Sequence, residues 1–340
     1  MSFNICCMLQ AELPDHHIVA VKKLSTISDE GIDKFKNEIY SLQNLRHDNL
    51  VRLFDVHVGK GLCFLVYEYM QNKSLADALF DPERKIKLDW DTRFNICLEI
   101  AKGLEYLHDR PRLKMVHRGI KAANILLDGT FKPKISDFGL ASAYAESDND
   151  ATQLLRVMKT EASNGYMAPE YPVIGKESSY KYDVYGFGVV LLEIVCGRRN
   201  VSPSSKNSQE IEILVDEVWV AETNGKLLGL LDKSLSTYET KQVIIVLKLA
   251  VRCTSISPGV RPTMSQVVSV LNGEKTLEEI ISEPAASKEA DIITQDSTKD
   301  LAKEIISEPA PSKEAADIIT HDSTKDLAKE TVDSSASSSG

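Results

Sequence analysis

A chain of 340 residues with 43% hydrophobic side chains has the length for a sizeable domain plus an appendage and the apolar content for a real core. A net charge of −10 and a pI near 5.3 argue against nucleic acid or an anionic membrane as the main partner, since both call for a basic surface. The six cysteines (Cys6, Cys7, Cys63, Cys97, Cys196, Cys253) form no CxxC pair and have no metal-ligand spacing, which fits thiols in a reducing cytosol.

The predicted elements run as follows. Residues 18–24 (IVAVKKL) are a β-branched run that fits a buried strand. Residues 33–45 place Phe35, Ile39, Leu42 and Leu45 at helical spacing, so they predict an amphipathic helix, with Glu38 on it. Strands are predicted at 50–54 and 62–69, and a helix opens at Ser74 and runs to Phe80. A longer amphipathic helix spans 91–108, and two apolar helices follow at 243–253 and 264–271. No run reaches the ~18 apolar residues of a membrane helix; the best, 189–196, is short and interrupted by Glu193. The start has no signal-peptide pattern, and Ser2 removes the myristoylation pattern.

After Gly273 the composition changes. No aromatic residue follows Tyr238, and residues 279–303 are repeated almost verbatim as 304–329. Two copies of about 25 polar residues cannot bury a core, so 274–340 reads as an acidic, disordered tail. Ser297 or Thr298 would cap a short helix over 301–306.

The chemistry is concentrated in residues 116–139, which read VHRGIKAANILLD and then KISDFGL. Together with LVYEYMQNKSLADAL, GYMAPEY, DVYGFGVVLLEIVCGRRN and RPTMSQVV, this wording resembles the protein-kinase catalytic domain of the plant leucine-rich-repeat receptor-like serine/threonine kinases, over roughly residues 13–271. The resemblance implies an α+β bilobal fold: an antiparallel small lobe at 1–70, a mainly helical large lobe at 71–273, and the tail beyond. It implies ATP and Mg²⁺ as cofactors and a protein as substrate or partner, an active receptor-like kinase among the candidates. It also implies a cytoplasmic location, at the inner face of the plasma membrane where a partner carries the chain there.

Residue by residue, the resemblance assigns Lys121 to the transferred phosphoryl group, Asn124 and Asp137 to the metal, and Lys22, paired with Glu38, to the phosphates. Tyr67 takes the gatekeeper position, and Glu68 to Met70 form the hinge that meets an adenine. Asp183 and the Glu170–Arg261 pair are support residues. Ser147, Thr152, Thr160 and Ser163 are candidate phosphosites, with Arg118 the residue that would receive a loop phosphate.

Two departures from the pattern decide the expected function. The catalytic Asp of His-Arg-Asp is replaced by glycine, since the sequence reads His117, Arg118, Gly119; loss of a positioned base costs about 10²- to 10⁴-fold in rate. Residues 1–21 contain no glycine, so the Gly-rich phosphate loop is missing. With Leu13-Pro14-Asp15 as the turn between the family's second and third strands, Met8 lies on the second and the first is expected to be absent. These departures predict a pseudokinase that acts by binding, with at most weak ATP affinity. The alternative is a serine/threonine kinase with low residual activity, and a third reading is a truncated relic.

Overall fold

The computed structural model describes residues 6–24, 29–43, 45–59, 62–83, 88–109, 114–143, 165–170, 180–203 and 211–282. They form two compact units that interleave in sequence: one takes residues up to 27 and 53–69, the other residues 28–52 and those from 70 onward.

The first unit is a four-stranded sheet, β1 (Cys6–Glu12), β2 (Ile18–Leu24), β3 (Leu53–Gly59) and β4 (Leu62–Glu68), in the order β1-β2-β4-β3. Every pairing is antiparallel. The turn from β1 to β2 closes where Pro14 and Asp15 predict it: Leu13 donates its amide to His17, and His16 to Leu13, both at 2.9 Å. Val19, Val21, Phe64 and Val66 form the sheet's core, with Ala11 and Leu13 packed against it. That core takes alternate residues of β2 and β4, the period that puts one face inward. Tyr67 is buried here, and Lys22 and Glu68 are half-buried on β2 and β4.

The third strand begins at Leu53 rather than Leu50. Residues 50 and 51 are drawn off to the second unit, where Leu50 forms an isolated parallel bridge with Ile135, Val51 donates to Ile135 and Ile135 donates to Asn49.

The second unit is mainly helical. It holds α1 (Asp29–Leu42), α2 (Leu75–Phe80), α3 (Trp90–Asp109), α4 (Lys181–Cys196), α5 (Leu214–Thr223), α6 (Thr240–Cys253), α7 (Met264–Leu271) and α8 (Leu277–Ser282). Capping residues mark the starts. Ser74 and Asp77 make a reciprocal capping box on α2, as Thr263 and Gln266 do on α7. α4 is apolar nearly all round, and such a helix can only be a core element. It packs on α6 and α3. Two glycines let it pack: a Cβ at Gly186 would lie 2.8 Å from the Ile120 carbonyl, and one at Gly188 would lie 2.7 Å from Cys253 Cβ.

The described residues continue past Gly273 into α8, which starts with a Thr276–Glu279 capping box and buries Ile280. The four candidate phosphosites and the remainder of the repeat lie outside the described residues. Among the described residues no helix is long and apolar enough to cross a membrane.

Candidate active site

The loop from Met115 to Ile135 is built on short strands. β5 (Met115–Val116) pairs with β8 (Ser142–Ala143), and β6 (Ile125–Leu127) with β7 (Pro133–Ile135). Between β5 and β6 the chain makes a single turn over Ala122–Asn124, following Lys121.

Asp183, in the first turn of α4, holds the entry to this turn. Its carboxylate accepts the His117 and Arg118 amides, each at 2.8 Å, and His108 Nε2 of α3 at 2.9 Å. Burial works to raise this carboxyl. The His108 hydrogen bond and charge and the His117 amide outweigh it, and the group stays below the usual carboxylate range. In return Asp183 fixes Arg118 at φ 61, a left-handed conformation that costs a non-glycine residue about 1–2 kcal/mol.

His117 is fully buried, and burial pushes its imidazole below the ordinary value against the opposing charges of Asp183 and Asp137. It is therefore a neutral ring, and its neighbours select the tautomer. Nε2 donates to the Ser136 carbonyl at 3.1 Å, and Nδ1 accepts the Gly119 amide at 3.1 Å. The ring meets Phe138 edge-on, with centroids 4.6 Å apart.

Gly119 and Asn124 close the turn. Asn124 Nδ2 donates to the Gly119 carbonyl at 2.8 Å, so the amide's oxygen is the end left for a cation. Ser136 ties Asn124 to the next loop: its amide and its hydroxyl both donate to the Asn124 carbonyl, each at 2.9 Å. Asp137 follows at φ 67, directly before the turn Phe138–Leu140. Asn124 and Asp137 are thus brought together by one residue, Ser136.

Downstream, Glu170 and Arg261 form a bidentate pair at 2.6 and 2.7 Å. The guanidinium is buried and also donates to Ser255 and Lys181 carbonyls. At the other end of α4, Tyr166 donates to Glu193 at 2.5 Å. Glu193 also accepts the Asn200 amide, and Asn200 Nδ2 donates to the Gly165 carbonyl.

A protein kinase domain model matches residues 6–271. The chain belongs to the protein kinase domain family. Its relatives include a probable LRR receptor-like serine/threonine-protein kinase of Arabidopsis thaliana, 46% identical over 271 residues, which are 79% of this chain and 28% of the relative. A second Arabidopsis protein of the same description is 43% identical over 82% of this chain and 27% of its own length. Cysteine-rich receptor-like protein kinase 10 of Oryza sativa subsp. japonica is 41% identical over 79% of this chain and 41% of that protein. The chain spans little more than a quarter of the length of the first of these relatives.

Within this kinase domain, the assigned residues fall on both units. Lys22, Tyr67 and Glu68 stand on the sheet, while Glu38, Met70, Lys121, Asn124 and Asp137 stand in the helical unit, with Glu38 and Met70 buried. The support residues Asp183, Glu170 and Arg261 make the contacts expected of them. Several participants were missed by sequence reading: His108, Ser136, Asn200 and Asn37. His108, Asn200 and Asn37 are common polar side chains whose partners lie far away in sequence, and Ser136, 12 residues from Asn124, is a common polar side chain that no pattern of its own marks.

Proposed function

We propose that this kinase domain works as a pseudokinase: a receptor-like kinase fold that signals by binding a protein partner, such as an active receptor-like kinase, and transfers phosphate poorly. The observation that carries the reading is Gly119. The surrounding loop keeps its hydrogen bonds to Asp183, His117 and Asn124, yet at the position of the base it carries no carboxylate. A substrate hydroxyl there would have no group to orient it or accept its proton.

Nucleotide handling remains in the proposal. Asn124 supplies an amide oxygen and Asp137 a carboxylate, hard oxygen donors of the kind Mg²⁺ takes alongside phosphate oxygens. Both are tethered through Ser136, so the donor set fits the metal. Lys22, Glu38, Glu68 and Met70 are the residues assigned to the nucleotide, and Lys121 to the transferred group. When bound, Mg·ATP supplies the phosphoryl group and the metal charge that offsets its oxygens. The proposed location is the cytoplasm, at the inner face of the plasma membrane when a partner holds the chain there.

The test is phosphoryl transfer from labelled Mg·ATP to a generic Ser/Thr substrate and to the protein itself. A side chain fits at 119: the residue has no positive φ, and a Cβ would stand 3.4 Å from Asn124 Nδ2 and from the His117 ring. Gly119→Asp is expected to raise transfer by about 10²- to 10⁴-fold over the unmodified chain, and Asp137→Asn to abolish it in that background. If the unmodified chain transfers as fast as Gly119→Asp, and Asp137→Asn stops it, the second reading holds: a serine/threonine kinase with residual activity that finds its proton acceptor elsewhere. Retention of Lys121, Asn124 and Asp137 is what favours that reading.

A further inference from the structure

Asp137 needs a support that the loop alone does not supply. It sits in left-handed backbone, which an L-residue disfavours, and it opens a three-residue turn too short to fix its own geometry. On its N-terminal side Ser136 anchors it to Asn124. On its C-terminal side stands one side chain from α1, the neighbour of Glu38.

Asn37 Nδ2 lies 3.3 Å from the Phe138 carbonyl, 3.1 Å from that of Gly139 and 2.7 Å from that of Ala141. Three carbonyl oxygens converging on one point repel each other unless a donor sits between them, and the amide group is that donor. The turn packs hard against the same helix: a Cβ on Gly139 would lie 3.4 Å from Lys34 Cβ and 3.6 Å from the Lys34 carbonyl.

We propose that Asn37 is a positioning residue for Asp137: its amide gathers the Phe138, Gly139 and Ala141 carbonyls and so sets the backbone from which Asp137 presents its carboxylate. The use of that carboxylate for metal rests on the function proposed above; the holding of the turn does not. In effect Asn37 and Ser136 are two tethers on either side of one acid. Asn37 acts through the turn it holds, by its contacts with the Phe138, Gly139 and Ala141 carbonyls.

The isosteric change Asn37→Asp replaces the donor with oxygens facing three oxygens, and Asn37→Ala removes it without the repulsion. Amide hydrogen exchange of the full chain at pH 7 reads the turn directly. Exchange across 138–141 is expected to quicken roughly 10-fold in Asn37→Ala and more in Asn37→Asp, with α3 and α4 unchanged. The second readout is the Mg²⁺ concentration needed for ATP to raise the melting temperature. It is expected to rise roughly 10-fold in Asn37→Ala, as it does in Asp137→Asn, because a displaced carboxylate binds the metal less well.

Unaltered exchange in both variants overturns the proposal. Faster exchange with an unmoved Mg²⁺ midpoint overturns the positioning role and leaves a structural one. If Mg·ATP fails to stabilise even the unmodified chain, the nucleotide-binding part of the proposed function falls, and exchange alone decides whether Asn37 holds the turn.

Discussion

The two ends of α4 carry buried carboxylates that behave in opposite ways. Asp183 and Glu193 are each 1% exposed, ten residues apart on one helix, so they have the same degree of burial. Asp183 is held below its ordinary value, whereas Glu193 is pushed up to about 7. Burial is the largest influence on both, and it acts upward on both. The difference lies in what opposes it. Asp183 accepts two backbone amides and a histidine. Glu193 has one phenol and one amide, with help from the Arg199 charge, and these do not offset desolvation. The end of α4 that holds the catalytic loop is therefore charged at any ordinary pH, and the end that holds Tyr166 titrates near neutrality.

The largest expected effect comes from removing the better-supported acid. Asp183→Ala leaves the His117 and Arg118 amides and His108 Nε2 facing a buried void. A few unsatisfied buried donors cost about 3–5 kcal/mol in sum. For a domain of this size that lowers the melting temperature by about 6–20 °C, read by circular dichroism. Loss of the strained Arg118 conformation should accompany it, since the Asp183 carboxylate accepts that residue's amide. A melting point within about 2 °C of the unmodified protein would show that the loop holds itself, contrary to the comparison.

Much of this frame was legible in the sequence, and the reasons differ by element. Residues 18–24 and 264–271 were read with their observed bounds, because a β-branched run and a capped apolar period are local signals. The start of β3 was misplaced by three residues because Leu50 and Val51 are as apolar as strand residues but pair with Ile135, a partner 85 positions from Leu50. The grouping of residues 28–52 with the helical unit is likewise set by tertiary packing, not by composition. Gly119, Lys121, Asn124 and Asp137 could be found because loop chemistry fixes their spacing. Asn37 could not, since a polar residue on an amphipathic helix gives no sign that it faces three carbonyls rather than water.

The next effect is a pH dependence that runs differently at the two ends. The folded value for Glu193 is raised from 4.5 to about 7, so its stabilising contribution is complete below 4.5 and is lost as pH rises through 7. His117, beside Asp183, is depressed below 6.5; its contribution is complete above 6.5 and is lost as pH falls through its folded value. Asp183 is depressed below 3.8 and loses its contribution only in stronger acid. The two slopes oppose each other below 6.5, where His117 still titrates. Glu193→Gln removes one of them and keeps both hydrogen-bond partners. At pH 8 it is expected to be more stable than the unmodified chain by up to about 3 kcal/mol, and at pH 5 to match it within about 1 kcal/mol. Denaturant unfolding at the two pH values checks this, and an equal difference at both would mean that Glu193 is not the titrating group.

The smallest effect isolates the phenol. Tyr166→Phe keeps the ring in place and deletes one donor, so Glu193 retains only the Asn200 amide and the distant Arg199 charge. At pH 8, where the carboxylate of the unmodified chain is mostly ionised, losing a hydrogen bond to a charged group is expected to cost up to about 1.5–3 kcal/mol. At pH 5 the carboxyl is protonated and the same deletion removes a neutral bond, a loss of about 1 kcal/mol. The cost should therefore grow with pH, and the midpoint of that growth should lie above 7, since the phenol is among the groups that hold the Glu193 value down. A pH-independent cost would show that the Tyr166 hydroxyl does not sense the charge on Glu193. The contrast with Asp183 would then rest on the backbone amides and His108.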